Sequence, residues 1–222
     1  MSLIFDKSIA CGQQIEKLFR ESGDLVEVYE DERLGIYDLV FQADRYRRAH
    51  ISIVDARHTR KVWMLHATVF PHYNDPSPIY GFDIVAGPSK VSGAFHDFSP
   101  AGDPTSFMWL WYNAQVNGLE WNKPRELPDW ATSIFSPAIV AIGAVGEDEL
   151  AEFIKVGLTN LDFYLKKVGY SQQDIADYHM VQNNYCRYQK KNPHTPRVLV
   201  NLGFTEEDAA NFITEHLFPE SN

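Results

Sequence analysis

Residues 62–98 read V-W-M-L-H-A-T-V-F-P-H-Y-N-D-P-S-P-I-Y-G-F-D-I-V-A-G-P-S-K-V-S-G-A-F-H-D-F, and this stretch decides the fold. It contains three runs rich in β-branched and aromatic residues, 62–70, 79–86 and 91–98, which are separated by turns containing proline and glycine. Runs of this length that follow one another along the chain predict antiparallel strands. The centre of the protein is therefore predicted to be a sheet.

The segments on either side are predicted to extend and cover this sheet. Residues 46–54 alternate between polar and apolar and predict a hairpin with the run that begins at 62. A last strand is predicted over 134–144, and a long helix over 147–168. Asp103 followed by Pro104 is typical of a helix start. We predict one domain, residues 1–222, with a mostly antiparallel sheet and helices before, between and after its strands.

Composition indicates a single folded domain and excludes several classes of partner. The chain has 222 residues, of which 45% are hydrophobic, enough for one large core. A formal net charge of −10 argues against nucleic acid as a partner. No stretch approaches the roughly 18 apolar residues of a membrane span, and no signal peptide is expected. Cys11 and Cys186 match no metal spacing and are interpreted as reduced packing residues of a cytoplasmic protein.

His66 and Asp83 are the candidate chemical groups of the central stretch. Each lies inside a predicted strand between large apolar neighbours. If the two strands are adjacent, an imidazole and a carboxyl group meet there. A carboxylic acid with a pKa raised by burial, next to a histidine, is suited to exchange protons with a bound ligand. A structural hydrogen bond inside the β-core is the alternative, and spacing alone leaves both open.

Standard cofactor and catalytic motifs are absent from the sequence. There is no G-x-G-x-x-G, no phosphate-binding loop, no C-x-x-C, no H-E-x-x-H and no nucleophile elbow. His50 and His66 are placed to meet across the predicted hairpin, but two imidazoles without a carboxylate are a weak metal site. Residue patterns alone therefore predict no more than an α/β domain with a candidate His–Asp site.

Seven segments, in the same order along the chain, resemble the ferredoxin-dependent bilin reductases. They are Y-R-R-A-H-I-S-I (46–53), M-L-H-A-T-V-F-P (64–71), Y-G-F-D-I-V-A-G-P (80–88), V-S-G-A-F-H-D-F-S-P (91–100), R-E-L-P-D-W (125–130), I-F-S (134–136) and Y-C-R-Y-Q-K-K-N (185–192). The resemblance is to the members that form phycocyanobilin and to their phage-encoded relatives that form phycoerythrobilin.

The resemblance implies both a fold and a reaction. The fold is an α/β/α sandwich of three layers with a central, mostly antiparallel sheet, and the substrate biliverdin IXα lies between the sheet and the C-terminal helices. Members bind no metal and no organic cofactor; reduced ferredoxin supplies single electrons, the protein supplies protons, and the bilin passes through radicals. A monomer in the cytoplasm is expected, in the host cell if the chain is phage-encoded, without a nucleic-acid or membrane partner.

Carried over residue by residue, the resemblance assigns two catalytic groups and five substrate contacts. Asp83 matches the central catalytic aspartate and His66 the histidine paired with it. The positions matching substrate contacts are His50, Ser52, Arg125, Asn192 and His194. Among these, the arginine holds a propionate of the bilin, and the last two belong to the loop that closes over the substrate. Without the resemblance, the arginine is better interpreted as part of a surface ion pair with Glu126 or Asp129.

Two positions depart from the family pattern. Ser52 stands where phycocyanobilin-forming members have the glutamate of the D-ring vinyl reduction, and Pro193 replaces an acidic residue of the closing loop. A serine hydroxyl is too weak an acid to replace that glutamate. Phycoerythrobilin, formed by a four-electron reduction, is therefore the expected product. Phycocyanobilin, a two-electron-reduced dihydrobiliverdin and a non-catalytic bilin carrier are the alternatives.

Docking of an acidic ferredoxin on a chain with a net charge of −10 requires a local basic patch. The candidates lie near the start of one strand and around the closing loop: Arg45, Arg47, Arg48, Arg187, Lys190, Lys191 and Arg197.

Overall fold

The computed structural model describes residues 2–101 and 106–221, and its centre is a seven-stranded antiparallel sheet. Each strand pairs with the one before it in sequence. The strands are β1 Asp24–Asp31, β2 Ile36–Ala43, β3 Tyr46–Ala56, β4 Val62–Pro71, β5 Ile79–Ala86, β6 Val91–Ser99 and β7 Val140–Ile142. The three runs of the central stretch form β4, β5 and β6, so the predicted antiparallel sheet is confirmed.

Helices cover both faces of this sheet. They are α1 Leu3–Ser22, α2 Phe107–Val116, α3 Asp129–Thr132, α4 Glu147–Lys167, α5 His179–Gln189, α6 His194–Leu202 and α7 Glu206–Phe212, which continues into a π-helical turn, Ile213–Leu217. One core lies between the sheet and α1, α2 and α4, and a second lies between the opposite face and α5, α6 and α7. The three-layer α/β/α sandwich is therefore confirmed.

One predicted element differs from the structure, and one lies outside the described residues. Only Val140–Ile142 of the predicted last strand pairs with β6, so its predicted length is wrong. Before it, the backbone N–H and the hydroxyl of Ser136 both donate to the carboxylate of Asp97, which holds this segment in a turn. The helix start at residues 103–104 lies outside the described residues. Where the description resumes, Ser106 caps α2 by accepting from a backbone N–H.

Alternation along each strand decides which core a side chain enters. In β5, Phe82 and Ile84 pack in the core under α1 and α4, whereas Asp83 between them faces the layer of α5 to α7. No helix among the described residues is long and apolar enough to cross a membrane.

Close packing against α4 fixes the strand that carries Asp83. The ring of Phe82 lies against the backbone at Gly157, where a Cβ atom would overlap it. The same ring stacks on Phe153, with centroids 4.9 Å apart. Tyr80 donates its hydroxyl to the carbonyl of Gly157 at 3.2 Å. Because these contacts lie on the opposite face, they hold β5 in place and leave Asp83 accessible to the other layer.

Candidate active site

The register of the sheet aligns five side chains in one row across β2 to β6. Asp38 is directly opposite Ser52, Ser52 opposite His66, His66 opposite Asp83, and Asp83 opposite Phe95. Directly opposed residues point to the same face of a sheet. This face lies under α5, α6 and α7, so one row brings two carboxyl groups and a histidine under the C-terminal helices.

His66 and Asp83 form the shortest polar contact of the row. His66 Nδ1 lies 2.7 Å from Asp83 Oδ1, the distance of a charge-assisted hydrogen bond. Nδ1–H donates when the carboxylate is ionised. The His66 side chain is 15% exposed and the Asp83 side chain 35% exposed. The two groups therefore share a proton at a position that a ligand can reach from the helical layer.

A second imidazole and carboxyl group lie beside this pair. His50 Nε2 is 3.5 Å from Asp38 Oδ1, and the two side chains are 0% and 3% exposed. The ring of His50 is also 5.8 Å from that of His66, edge to face. Burial lowers the pKa of His50 from 6.5 to about 4, although the nearby Asp38 opposes this effect. His50 is therefore neutral near pH 7.

Asp38 was not among the residues predicted from the sequence. A signal was present, because a carboxylate stands at the third position of the apolar strand I-Y-D-L-V-F. Its relation to the histidines depends on the register of β2 against β3, which no sequence pattern specified. The structure supplies that register and brings Asp38 to His50.

Several buried polar atoms on this face have no hydrogen-bond partner within residues 2–101 and 106–221. They are both carboxylate oxygens of Asp38, both ring nitrogens of His50, Nε of Arg48, Nε2 of His66 and Oγ1 of Thr68. Thr68 is directly opposite His50 on β4, so these atoms form one cluster. An unpartnered buried polar group costs about 1–3 kcal/mol, and native proteins rarely leave several together unless a ligand pairs with them. The cluster therefore indicates a site that holds ordered water or the polar groups of a ligand.

Ser52 occupies the gap between the two pairs. It is 5% exposed and lies opposite both Asp38 and His66. Its neutral hydroxyl adds no acid to the row, so the carboxyl groups of the row come from Asp38 on β2 and Asp83 on β5.

Arg125 lies near the other end of the row. Its guanidinium is 5.7 Å from the ring centroid of Phe95, the residue opposite Asp83, and Nη2 donates to the carbonyl of Ser92 at 2.8 Å. Cavities of about 630 and 400 Å³ adjoin its side chain, and neither includes His66 or Asp83. Among the described ion pairs, none joins Arg125 to Glu126 or Asp129.

Asn192 lies in the connection between α5 and α6, and His194 is the first residue of α6. The side-chain Oδ1 of Asn192 accepts from the backbone N–H of His194 at 3.0 Å. The His194 side chain is exposed to solvent. The structure therefore places both residues at the start of α6 and does not bring them into contact with the His66–Asp83 pair.

The C-terminal segment, residues 213–221, covers the histidines, and the sequence analysis did not foresee this. The ring of Phe218 packs edge to face on His66, with centroids 5.3 Å apart. Arg48 Nη2 donates to the carbonyl of His216 at 2.7 Å, which ties the segment to β3. The segment therefore covers part of the His66 ring and leaves the side chain 15% exposed.

Two residues of the predicted basic patch are not surface groups. Arg47 stacks between the rings of Phe70 and Tyr73 and donates to Gln182, and Arg48 binds the C-terminal segment. Burial lowers the pKa of both guanidinium groups, because it disfavours their charged form. Both side chains are half-buried and engaged within the helical layer, which argues against a place in the docking surface.

The basic residues of α5 are partly neutralised. Arg187 and Lys190 both pair with Glu220, at 2.7 and 2.8 Å. Lys191 lies over the ring of Tyr188 at 3.6 Å and is exposed. The exposed positive charge of this face therefore rests mainly on residues after the end of α5.

Comparison with solved structures shows the same fold. A structure of PcyX aligns with 96% of this chain and 99% of its own length, with a TM-score of 0.69 and 30% identity. Phytochromobilin synthase from tomato, solved in complex with biliverdin, aligns with 93% of this chain and 82% of its own, with a TM-score of 0.71 and 15% identity. At 15% identity, the likeness to phytochromobilin synthase shows the fold alone.

Sequence comparison identifies the family of this chain. The phycocyanobilin:ferredoxin oxidoreductase of Trichodesmium erythraeum (strain IMS101) is 30% identical over 200 residues, which cover 87% of this chain and 80% of the relative. That of Prochlorococcus marinus (strain MIT 9313) is 32% identical over 203 residues, 86% of this chain and 73% of the relative. The family model described as ferredoxin-dependent bilin reductase matches residues 14–219. The chain therefore belongs to the ferredoxin-dependent bilin reductases, a family of oxidoreductases.

Proposed function

We propose that the protein reduces biliverdin IXα to phycoerythrobilin in a four-electron reaction with reduced ferredoxin. The observation that carries this proposal is the His66–Asp83 pair, held at 2.7 Å on a sheet face whose other buried polar atoms lack partners. A linear tetrapyrrole offers lactam oxygens and pyrrole N–H groups to such a face. Family membership supports ferredoxin as the electron donor and a bilin as the substrate.

Proton supply is the task of the protein in this reaction. Each reduced carbon–carbon double bond takes up two electrons, from two reduced ferredoxins, and two protons. Adding an electron to an extended π-system raises its basicity, so a proton must follow each electron. Asp83 donates this proton, and His66 returns one to Asp83 or holds a lactam oxygen of the bilin. The Asp83 side chain is 35% exposed, which leaves its carboxyl group open to a substrate on this face.

The other assigned residues bind the substrate. Arg125 holds a propionate, for which a guanidinium is well suited, because it offers two parallel N–H donors to a carboxylate. Asn192 and His194 close over the bilin from the start of α6. His50 and Ser52 line the face beside His66. The chain acts as a single catalytic domain, residues 1–222, and as a monomer in the cytoplasm, where reduced ferredoxin is available.

The product follows from the residue at position 52. Because Ser52 carries no acid, the protons come from acids elsewhere in the row, which favours reduction of the bridge between the C and D rings and of the A-ring diene. Those two reductions convert biliverdin to phycoerythrobilin. The vinyl group of the D ring, whose reduction leads to phycocyanobilin, remains intact.

An anaerobic assay with biliverdin, ferredoxin, ferredoxin reductase and NADPH tests this function. We expect the biliverdin absorbance to change on binding and again after electrons are supplied, and chromatography to show a dominant phycoerythrobilin peak. A dominant phycocyanobilin peak would refute the role of Ser52. A change on binding without any later reduction would refute the enzyme and indicate a bilin carrier.

A further inference from the structure

Two imidazole–carboxyl pairs lie on this face of the sheet, and the proposed function takes its proton donor from only one of them. Asp83 and His66 form the outer pair, at 2.7 Å. Asp38 and His50 form the inner pair, at 3.5 Å. The two imidazole rings are 5.8 Å apart, so the four groups form a chain from the partly exposed Asp83 to the buried Asp38.

Asp38 differs from Asp97, another buried aspartate on the same face of the sheet, in how its carboxyl group is bonded. Asp97 is also buried, yet it accepts from the backbone and the hydroxyl of Ser136 and from the hydroxyl of Ser99. Asp38 is 2% exposed, and within residues 2–101 and 106–221 neither of its oxygens has a hydrogen-bond partner. A carboxyl group that only supports the fold would be bonded as Asp97 is, because burial without partners is costly.

The groups around Asp38 favour proton transfer over a fixed ion pair. Arg48 lies on the same strand as His50, but its Nη2 is engaged by the carbonyl of His216. His50 is neutral near pH 7, since burial lowers its pKa to about 4. A neutral imidazole accepts a proton on one nitrogen while it donates from the other, the requirement for a relay.

We propose that Asp38 is a positioning residue that supplies, through His50, a proton for the second two-electron reduction. This role rests on the proposed function. Binding of the substrate first shortens the 3.5 Å separation between Asp38 Oδ1 and His50 Nε2 to hydrogen-bond distance. The O–H bond of Asp38 then breaks as its proton passes to Nε2 of His50, and the N–H bond at Nδ1 breaks as that proton forms a new bond on the reduced bilin. Two reduced ferredoxins supply the electrons, and Asp83 supplies the other proton. Asp38 is left as a carboxylate and regains its proton from water after the product leaves.

Single-turnover reduction of bound biliverdin by the variant Asp38→Asn tests this role. Asparagine keeps the size of the side chain but has no acid proton. We expect biliverdin binding and the first two-electron reduction within about twofold of the parent. The second reduction should slow by about tenfold or more, since general-acid groups contribute on that scale. A two-electron-reduced bilin then accumulates, and Asp38→Glu should restore part of the four-electron product.

Controls separate this role from stability and from the proposed function. Asp24→Asn makes the same chemical change at an exposed position of β1 and should match the parent in both steps. Asp38→Ser removes the carboxyl without added bulk and should repeat the Asp38→Asn result. A parent-like product mixture in Asp38→Asn or Asp38→Ser would overturn the inference. So would loss of folding in both, or equal slowing of both steps without rescue by Asp38→Glu. If the parent itself does not reduce biliverdin, the proposed function fails first.

Discussion

Asp83→Asn is the sharpest perturbation of the proposed reaction. The side chain keeps its size and an oxygen that accepts from His66, but it loses the acid proton. Since the Asp83 side chain is 35% exposed, the loss of charge should change the free energy of unfolding by only about 1 kcal/mol or less. The loss of a general acid should lower turnover about 10²- to 10⁴-fold, which corresponds to about 3–5 kcal/mol of activation free energy.

Binding and turnover must be measured separately for this variant. Absorbance titration with biliverdin should give a dissociation constant within about tenfold of the parent, because binding uses many groups besides Asp83. Anaerobic single-turnover kinetics should then show a stalled or very slow reduction. Turnover within tenfold of the parent would refute the assignment of Asp83 as the proton donor.

The partner residue gives an independent check on the same mechanism. If His66 and Asp83 act as a unit, His66→Gln should be impaired similarly, and the double variant should be little slower than either single variant. If the loss of turnover in the double variant equals the product of the two single losses, the two residues have independent roles.

Three further predictions concern packing, acid stability and docking. Gly157→Ala places a Cβ against the Phe82 ring and should destabilise the fold by about 1–3 kcal/mol in urea unfolding; an unchanged midpoint would contradict the packing. Burial lowers the pKa of His96 from 6.5 to about 4, so its neutral form stabilises the fold above pH 6.5, and on the order of 3 kcal/mol should be lost as pH falls to 4. His96→Gln should flatten this part of the stability curve; an equally steep curve would contradict it. Lys191→Glu should raise KM for ferredoxin more than KM for biliverdin, and less so in high salt, whereas Lys155→Glu on the opposite layer should not.

The sheet was predictable because its signals are local. The alternation around His66 and Asp83, together with turn residues between the strands, is enough to place both side chains on one face of adjacent strands. Sequential pairing then needs no long-range information. The length of the last strand was predicted wrongly because the hydrogen bonds from Ser136 to Asp97 join segments that are distant in sequence. No local sequence pattern indicates such bonds.

The candidate site was only partly predictable. The contact between His66 and Asp83 follows from two strands of the quoted stretch, whereas Asp38 depends on the register of a hairpin before it. Arg47 was predicted to be a surface charge because the sequence does not distinguish a solvated arginine from one that stacks on Phe70. The cover provided by residues 213–221 depends on tertiary packing alone.

The order of strands in the sheet also bears on how the site is formed during synthesis. Because β1 to β7 pair strictly in sequence order, each hairpin can close as soon as its second strand has left the ribosome. The row from Asp38 to Asp83 is complete once β5 has paired. The segment that carries Phe218 is synthesised long afterwards. The carboxyl groups and imidazoles therefore remain hydrated through most of folding, and they lose water only when the last helices dock on a sheet that is already formed.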